Sequence, residues 1–325
     1  MADRAGPVRP VLVGLAVALL LVGCAPQPSP TPQPTATSAA RAGWDLTADN
    51  VGLASVGVSC DDLPTYWGPS TVLAGTTISG RLITTPLNLA AGGITIERSC
   101  IRPVTASPGL PILGTTNYNT AELRFPSRTV TIRDSDIDGS LLDTRAAAEA
   151  TAFVGIGTLT NNLIHGFGSG IALMNTGTSL DALIEHNVVT GLVAWGDGAS
   201  GNHSDAFTIR DFDASQRPGR RVVVRNNRFD CDSGHDTGAL FVQTQSGRID
   251  NLVVERNLLE GGGYQLGLNQ TQYPYANVEA RDNRFSGTGY GPAYVQEGPG
   301  WSEWGDNYLV DPAAEGMRGS AVPRP

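Results

Sequence analysis

Residues able to move protons gather in one part of the chain. Gly201-Asn202-His203-Ser204-Asp205 precedes the run AFTIR at 206–210, and residues 230–236 read D-C-D-S-G-H-D before the comparable run ALFVQ at 239–243. Laying Ala206 on Ala239 places His203 beside Asp236 and Asn202 beside His235, one strand spacing or about 4.8 Å apart. A carboxylate at Asp236 would then hold the imidazole by a charge-assisted hydrogen bond. A His so oriented can serve as general base, taking the proton from C5 of a uronic acid in β-elimination. Arg210, with Arg217, Arg220 and Arg221, would neutralise the substrate carboxylate. A second scheme makes Asp205 and Asp236, with Asp211 or Asp213, the acid and base of a glycoside hydrolase. Two structural readings stand beside these. Asp205 could cap the turn entering its strand, and Asp230, Asp232 and Asp236 could line a Ca²⁺ loop, since hard oxygen donors suit that ion. Neither scheme requires a cofactor. Ca²⁺ is the one ion the spacing suggests, and no other metal site is expected.

For His203 and Asp236 to meet, residues some thirty positions apart must be neighbours, which a solenoid provides. A β-branched run, a charged residue, Asn and an apolar pair recur along the chain. The figure is LTNNLI at 159–164, LIEHNVV at 183–189, RVVVRNNRF at 221–229, LVVERNLL at 252–259, VEARDNRF at 278–285 and SEWGDNYL at 302–309. The shared Asn falls at Asn162, Asn187, Asn227, Asn257, Asn283 and Asn307. Such a period marks repeats that bury their apolar faces against one another. Asn tolerates the left-handed backbone of a sharp bend, and stacked amides can bond as a ladder. Ser99 and Ser135 hold the slot in two earlier coils. The predicted fold is all-β: a single-stranded right-handed parallel β-helix with three strands per coil and an Asn ladder.

The first strand of each coil lies upstream of the Asn figure: GIALM at 170–174, AFTIR at 206–210, ALFVQ at 239–243, QLGLN at 265–269 and PAYVQ at 292–296. Alternation sends Ile171, Leu173, Phe207, Ile209, Leu240, Val242, Leu266, Leu268, Ala293 and Val295 inward. Thr208, Arg210, Phe241, Gln243, Gln265, Asn269, Tyr294 and Gln296 then face out as one row of rings, amides and a guanidinium. A polysaccharide can lie on such a face, and a plain solvent-exposed strand surface is the alternative. The longest gap between ladder residues, from Asn187 to Asn227, holds extra residues on both sides of the first strand. Trp195 lies in that insertion and joins the substrate-binding set, because solenoid insertions on one edge line a binding face.

The 325 residues include 40 Gly, and all 22 basic residues are Arg; the net charge is −9, which argues against generic nucleic-acid binding. Arg4 and Arg9 precede an apolar run at 11–22 that is short for a membrane span and suits an export signal. It ends in Leu21-Val22-Gly23-Cys24, which resembles the lipobox of bacterial lipoproteins. The resemblance implies lipidation of Cys24 as the mature N-terminus and anchoring at the cell membrane, facing the exterior. Residues 25–43 are rich in Pro, Thr and Ser and form a solvated tether. The expected organisation is a signal peptide at 1–23, the lipidated Cys and tether at 24–43, a capped β-helix at 44–311 and a tail at 312–325. Residues 45–75 are expected to cover the exposed end of the stack. Of the remaining cysteines, Cys60 and Cys100 are the expected pair and Cys231 is left over.

The segments IHGFGSGIAL at 164–173, GNHSDAF at 201–207, IDNLVVERNLLEGGGYQL at 249–266, NRFSGTGYGPAYV at 283–295 and LPTYWGPSTVLAGTTISG at 63–80 resemble bacterial right-handed parallel β-helix proteins of pectate-lyase-like architecture. That family's motif reads Gly-x-His-x-Asp-Gly, an aliphatic residue, then Gln. Gly201, His203 and Asp205 match it, whereas Ala206, Phe207 and Thr208 depart. The expectation is a monomeric surface protein that engages polysaccharide and cleaves an acidic glycan by lyase or hydrolase chemistry. A non-catalytic carbohydrate-binding or structural cell-envelope scaffold is the alternative.

Overall fold

The ladder begins with its turn. At each coil the residue just before the ladder position has positive φ: Arg98, Asp134, Asn161, His186, Asn226, Arg256, Asp282 and Asp306. The left-handed residue is therefore the neighbour of the ladder residue and not, as expected, the ladder Asn. The ladder Asn instead points into the stack. Asn162, Asn187, Asn227 and Asn257 each donate backbone N–H and side-chain N–H to Oδ1 of the next Asn, at 2.9–3.1 Å. Asn283 does the same to Asn307 at 3.0 Å, and Ser99 and Ser135 continue the column upstream. The ladder residues are buried with their hydrogen bonds satisfied, as burial of polar groups demands.

The computed structural model describes residues 41–108, 110–116, 126–197, 201–233, 236–287 and 289–325, the side chains of Asp236 and Thr237 excepted. The expected export signal, Cys24 and nearly all of the expected tether lie outside the described residues. The rest is an all-β parallel β-helix with three strands per coil, stacked into sheets of eight, nine and ten strands. Each strand pairs in parallel with its counterpart on the next coil, save one antiparallel pair at the C-terminal end. There Arg318–Ala321, within the expected tail, adds to Tyr308–Val310 and covers the edge of the ten-stranded sheet, built from the strands that follow the ladder residues. Inward residues of the three sheets form one continuous core, with Phe207 stacked on Phe229 at 5.6 Å between ring centroids. Among the described residues no helix is long and apolar enough to cross a membrane.

The N-terminal segment does not simply cover the end of the stack. Residues 43–58 run along the flank, across several coils. The N–H of Gly43 donates to Arg256 O at 2.9 Å, so close that a Cβ there would lie 2.0 Å from Asn227 O. Leu46 and Val51 pack on Val188 and Leu163, and the N–H of Leu53 donates to Asp136 Oδ1 at 2.9 Å. The physical reason is apolar surface: Leu163 and Val188 face outward from their sheet and need covering. The segment is fastened by a Cys60–Cys100 disulfide, while Cys231 is buried outside any disulfide and its Sγ–H donates to Ser204 O at 3.0 Å. Only then does the chain enter the first coil, where Thr65 bridges to Leu82 and Thr71 to Asn88.

Candidate functional site

Four neighbouring strands of the eight-stranded sheet carry the predicted residues: Ser204–Ile209, Asp236–Gln243, Tyr264–Asn269 and Gly291–Gln296. Their register aligns Asp205, Gly238, Tyr264 and Gly291 in one column and Thr208, Phe241, Gly267 and Tyr294 in a second. Gln243, Asn269 and Gln296 form a third, with Arg210 leading it one coil earlier. Between the first two columns the strand does not alternate. Ala206 and Phe207 are both in the core, as are Ala239 and Leu240, and Gln265 shares their row. Gln265 is consequently 2 % exposed, its Nε2 donating to Gly261 O at 3.0 Å. It is not on the outer face where strict alternation from Leu266 placed it.

The outer face carries a cluster of rings. Phe241 and Tyr294 lie 6.3 Å apart between centroids, Tyr294 and Tyr264 4.5 Å, and Tyr264 and Tyr290 5.7 Å. Tyr290 is exposed and the other three half-buried. The sequence pattern yielded Phe241 and Tyr294 but missed Tyr264 and Tyr290. The available signal was GYQLGL at 263–268 and GYGPAY at 289–294, in which Gly–Tyr pairs flank each strand's entry.

Beside the rings sits Asp205, 7 % exposed, with Oδ1 buried and without a hydrogen-bond partner. Burial pushes its carboxyl up to about 7, against the partial offset of the Arg210 guanidinium and of a hydrogen bond from the Gly238 N–H. Tyr294 senses the same carboxyl. Its phenol is pushed up to about 12, by burial first and then by the nearby Asp205 and Tyr264. Arg210 is half-buried; its Nη1 donates to Gln245 Oε1 at 2.7 Å, while Nε is buried without a partner. An unpaired buried acceptor and an unpaired buried donor on one face are expensive to leave unmade.

The expected His203–Asp236 pair meets a different register. A bulge between Ser204 and Asp205 sets Asp236 opposite Ser204, although Phe207 still faces Leu240 as the alignment of Ala206 on Ala239 requires. The extra residue in the lower strand is absorbed at Thr237, one position the sequence alignment did not allow for. His203 is exposed in the turn before the strand. The Asp236 side chain and all of His235 lie outside the described residues. Thr208 is buried and donates Oγ1–H to Phe241 O at 3.2 Å, which ties it to the sheet. Gln243 and Asn269 are half-buried and Gln296 exposed. Trp195 is 39 % exposed, with the Arg145 guanidinium 4.6 Å from its ring centroid.

Other candidates are occupied by structural work. Asp211 accepts from the N–H groups of Asn175 and Thr176 and from the hydroxyls of Thr176 and Ser246. Asp213 caps the short 3₁₀ turn Ala214–Gln216. Arg220 is fully buried, donating to Leu180 O, Asp213 O and Thr176 O, and Arg217 pairs with Asp181. Burial withholds Arg220 from a substrate, Arg217 is engaged with Asp181 at the surface, and Arg221 is exposed. Asp230 accepts from Thr190 Oγ1 and from the Asp232 N–H, and no group of three His, Cys, Asp or Glu able to hold a metal occurs among the described residues.

No family model, curated protein or solved structure matches this chain. The functional reading rests on the face itself.

Proposed function

We propose that this protein is a lipid-anchored surface protein, held outside a bacterial membrane through Cys24, whose first-strand face binds an acidic polysaccharide and cleaves it. The observation that carries the reading is the placement of Asp205, a buried carboxyl with an unpartnered oxygen held near 7, beside Arg210 and a cluster of four rings. Perturbed acids beside ring-lined surfaces are favoured site candidates. Sugar rings stack by their C–H faces on the aromatic cluster, and the amides of Gln243, Asn269 and Gln296 bond to hydroxyls.

Elimination is favoured over hydrolysis. Hydrolysis asks for two carboxyl groups, and among the described outward positions of these four strands Asp205 is the one carboxyl; Asp211 and Asp213 are spent on turns. In elimination the ionised Asp205 takes the C5 proton of a uronate. Arg210 holds the substrate carboxylate as negative charge develops on it. The C5–H electron pair becomes the C4=C5 double bond, the C4–O bond breaks, and the leaving oxygen takes a proton from the Tyr294 phenol. Asp205 and Tyr294 are held far apart in acidity, the usual condition for dividing base and acid roles.

The test mixes the purified chain with a panel of uronic-acid polymers and follows ultraviolet absorbance of unsaturated ends alongside reducing sugar. Asp205→Asn and Arg210→Ala are expected to abolish both signals while His203→Ala keeps them. Loss on His203→Ala with retention on Asp205→Asn would return the base to His203. Reducing sugar without the absorbance means hydrolysis, and binding without either signal favours the scaffold reading. Anchoring is tested separately: Cys24→Ala should release the protein from the membrane fraction.

A further inference from the structure

The rings of the outer face alternate with glycines in both columns. Tyr264 lies between Gly238 and Gly291, and Gly267 lies between Phe241 and Tyr294. Each of the three rungs therefore presents one ring and one glycine, staggered from rung to rung. Phe241 and Tyr294 stand two rungs apart, about 9.6 Å along the stack, yet their ring centroids are 6.3 Å apart. Both rings lean inward over the missing side chain. A Cβ at Gly267 would lie 2.7 Å from Phe241 Cδ2 and 2.7 Å from Tyr294 Cε1.

We infer that Gly267 is a positioning residue of the glycan site: its bare backbone lets Phe241 and Tyr294 close over it, so that separate rings become one platform laid along the coil axis. The inference rests on the glycan reading above and adds the direction and type of ligand. A platform built across successive coils takes a polymer lengthwise, with sugar rings flat on the aromatic faces and the column of Gln243, Asn269 and Gln296 alongside. It selects sugars with an apolar C–H face and gains with chain length, as stacking contacts add along the axis.

Gly267 lies mid-strand without a positive φ, so alanine fits its backbone and the conflict is confined to the two rings. The experiment compares wild type, Gly267→Ala, Phe241→Ala and the double variant of the full chain. Near-ultraviolet circular dichroism reads the coupled rings, and calorimetry with oligouronates of increasing length reads affinity. Gly267→Ala is expected to alter the dichroism and weaken binding of long oligomers about tenfold, or about 1.4 kcal/mol. Its melting temperature should stay near wild type. With Phe241 already removed, adding Gly267→Ala should cost less than it does alone, because only the Tyr294 ring is then left to yield to the methyl; that double variant also serves if the single one fails to fold. Equal affinity of Gly267→Ala and wild type for every oligomer overturns the inference and leaves the glycan reading intact. If the wild type binds no oligouronate, both fall together, whatever the dichroism shows.

Discussion

Replacing Asp205 by Asn converts the buried carboxyl into a neutral side chain of the same shape, and the effect on stability should depend on pH. The folded protein holds this carboxyl at about 7, against an ordinary 3.8. Between those values the folded chain keeps a proton that the unfolded chain has released, so wild-type stability falls as pH rises. The contribution is intact below about pH 4, declines up to about pH 7 and is fully lost above it. At about 1.36 kcal/mol per tenfold, the cost at pH 8 amounts to about 4 kcal/mol. The attraction of Arg210 is already contained in that figure. Asp205→Asn should therefore melt near wild type at pH 4 and several degrees above it at pH 8, at roughly 2 °C or somewhat less per kcal/mol. Thermal unfolding of both proteins across this range is the assay. Parallel melting curves from pH 4 to pH 8 would refute the claim that burial holds Asp205 near neutrality, and with it the assignment of Asp205 as the base.

Three further outcomes follow from the packing. Asn227→Ala removes the acceptor of Asn187 N–H and Nδ2 and the donor to Ile184 O and Arg225 O; at about 1–3 kcal/mol per stranded buried group, chemical denaturation should show a loss of several kcal/mol. Arg220→Ala strands three carbonyls that its guanidinium now satisfies, so limited proteolysis should begin to cut within residues 211–221 while the neighbouring strands resist. Cys60→Ser with Cys100→Ser opens a closure spanning 40 positions, worth about 4 kcal/mol on chain-entropy grounds; amide exchange should accelerate at residues 43–62 before it does so in the later coils.

The fold was legible because a parallel solenoid writes its geometry into the chain. One Asn per coil, with Ser99 and Ser135 as stand-ins, sufficed to recover the column, and the β-branched runs before it recovered the inward faces. The Cys60–Cys100 disulfide matches the expected pair, although three candidate cysteines left the choice of partner open in the sequence. What escaped was irregular. The left-handed residue could not be told from its ladder neighbour, since in Asn161-Asn162 and Asn226-Asn227 both positions carry the same residue type. The flanking course of residues 43–58 has no periodic signal, because it is dictated by outward Leu163 and Val188 on distant coils. In the site, period-two reading failed where two consecutive residues turn into the core. That slip hid Tyr264 and buried Gln265, while a separate bulge at Thr237 shifted Asp236 from His203 to Ser204.

The two columns of glycines and rings explain why such a slip can be tolerated. The ladder and the apolar core specify the stack from inside, and each coil is held by its neighbours through those contacts. The outer face of the first-strand sheet contributes little to that scaffold: its glycines bury no side chain, Asp205 is destabilising when ionised, and Arg210 Nε is left unpaired. An arrangement with an unpaired buried carboxyl oxygen and guanidinium nitrogen, which stability alone does not favour, points to a use for the face that lies outside folding. The break in alternation serves the same end. With Ala206 and Phe207 both in the core, Asp205 falls outside the core row and in register with Gly238 and Tyr264, so that the acid and the rings share one surface.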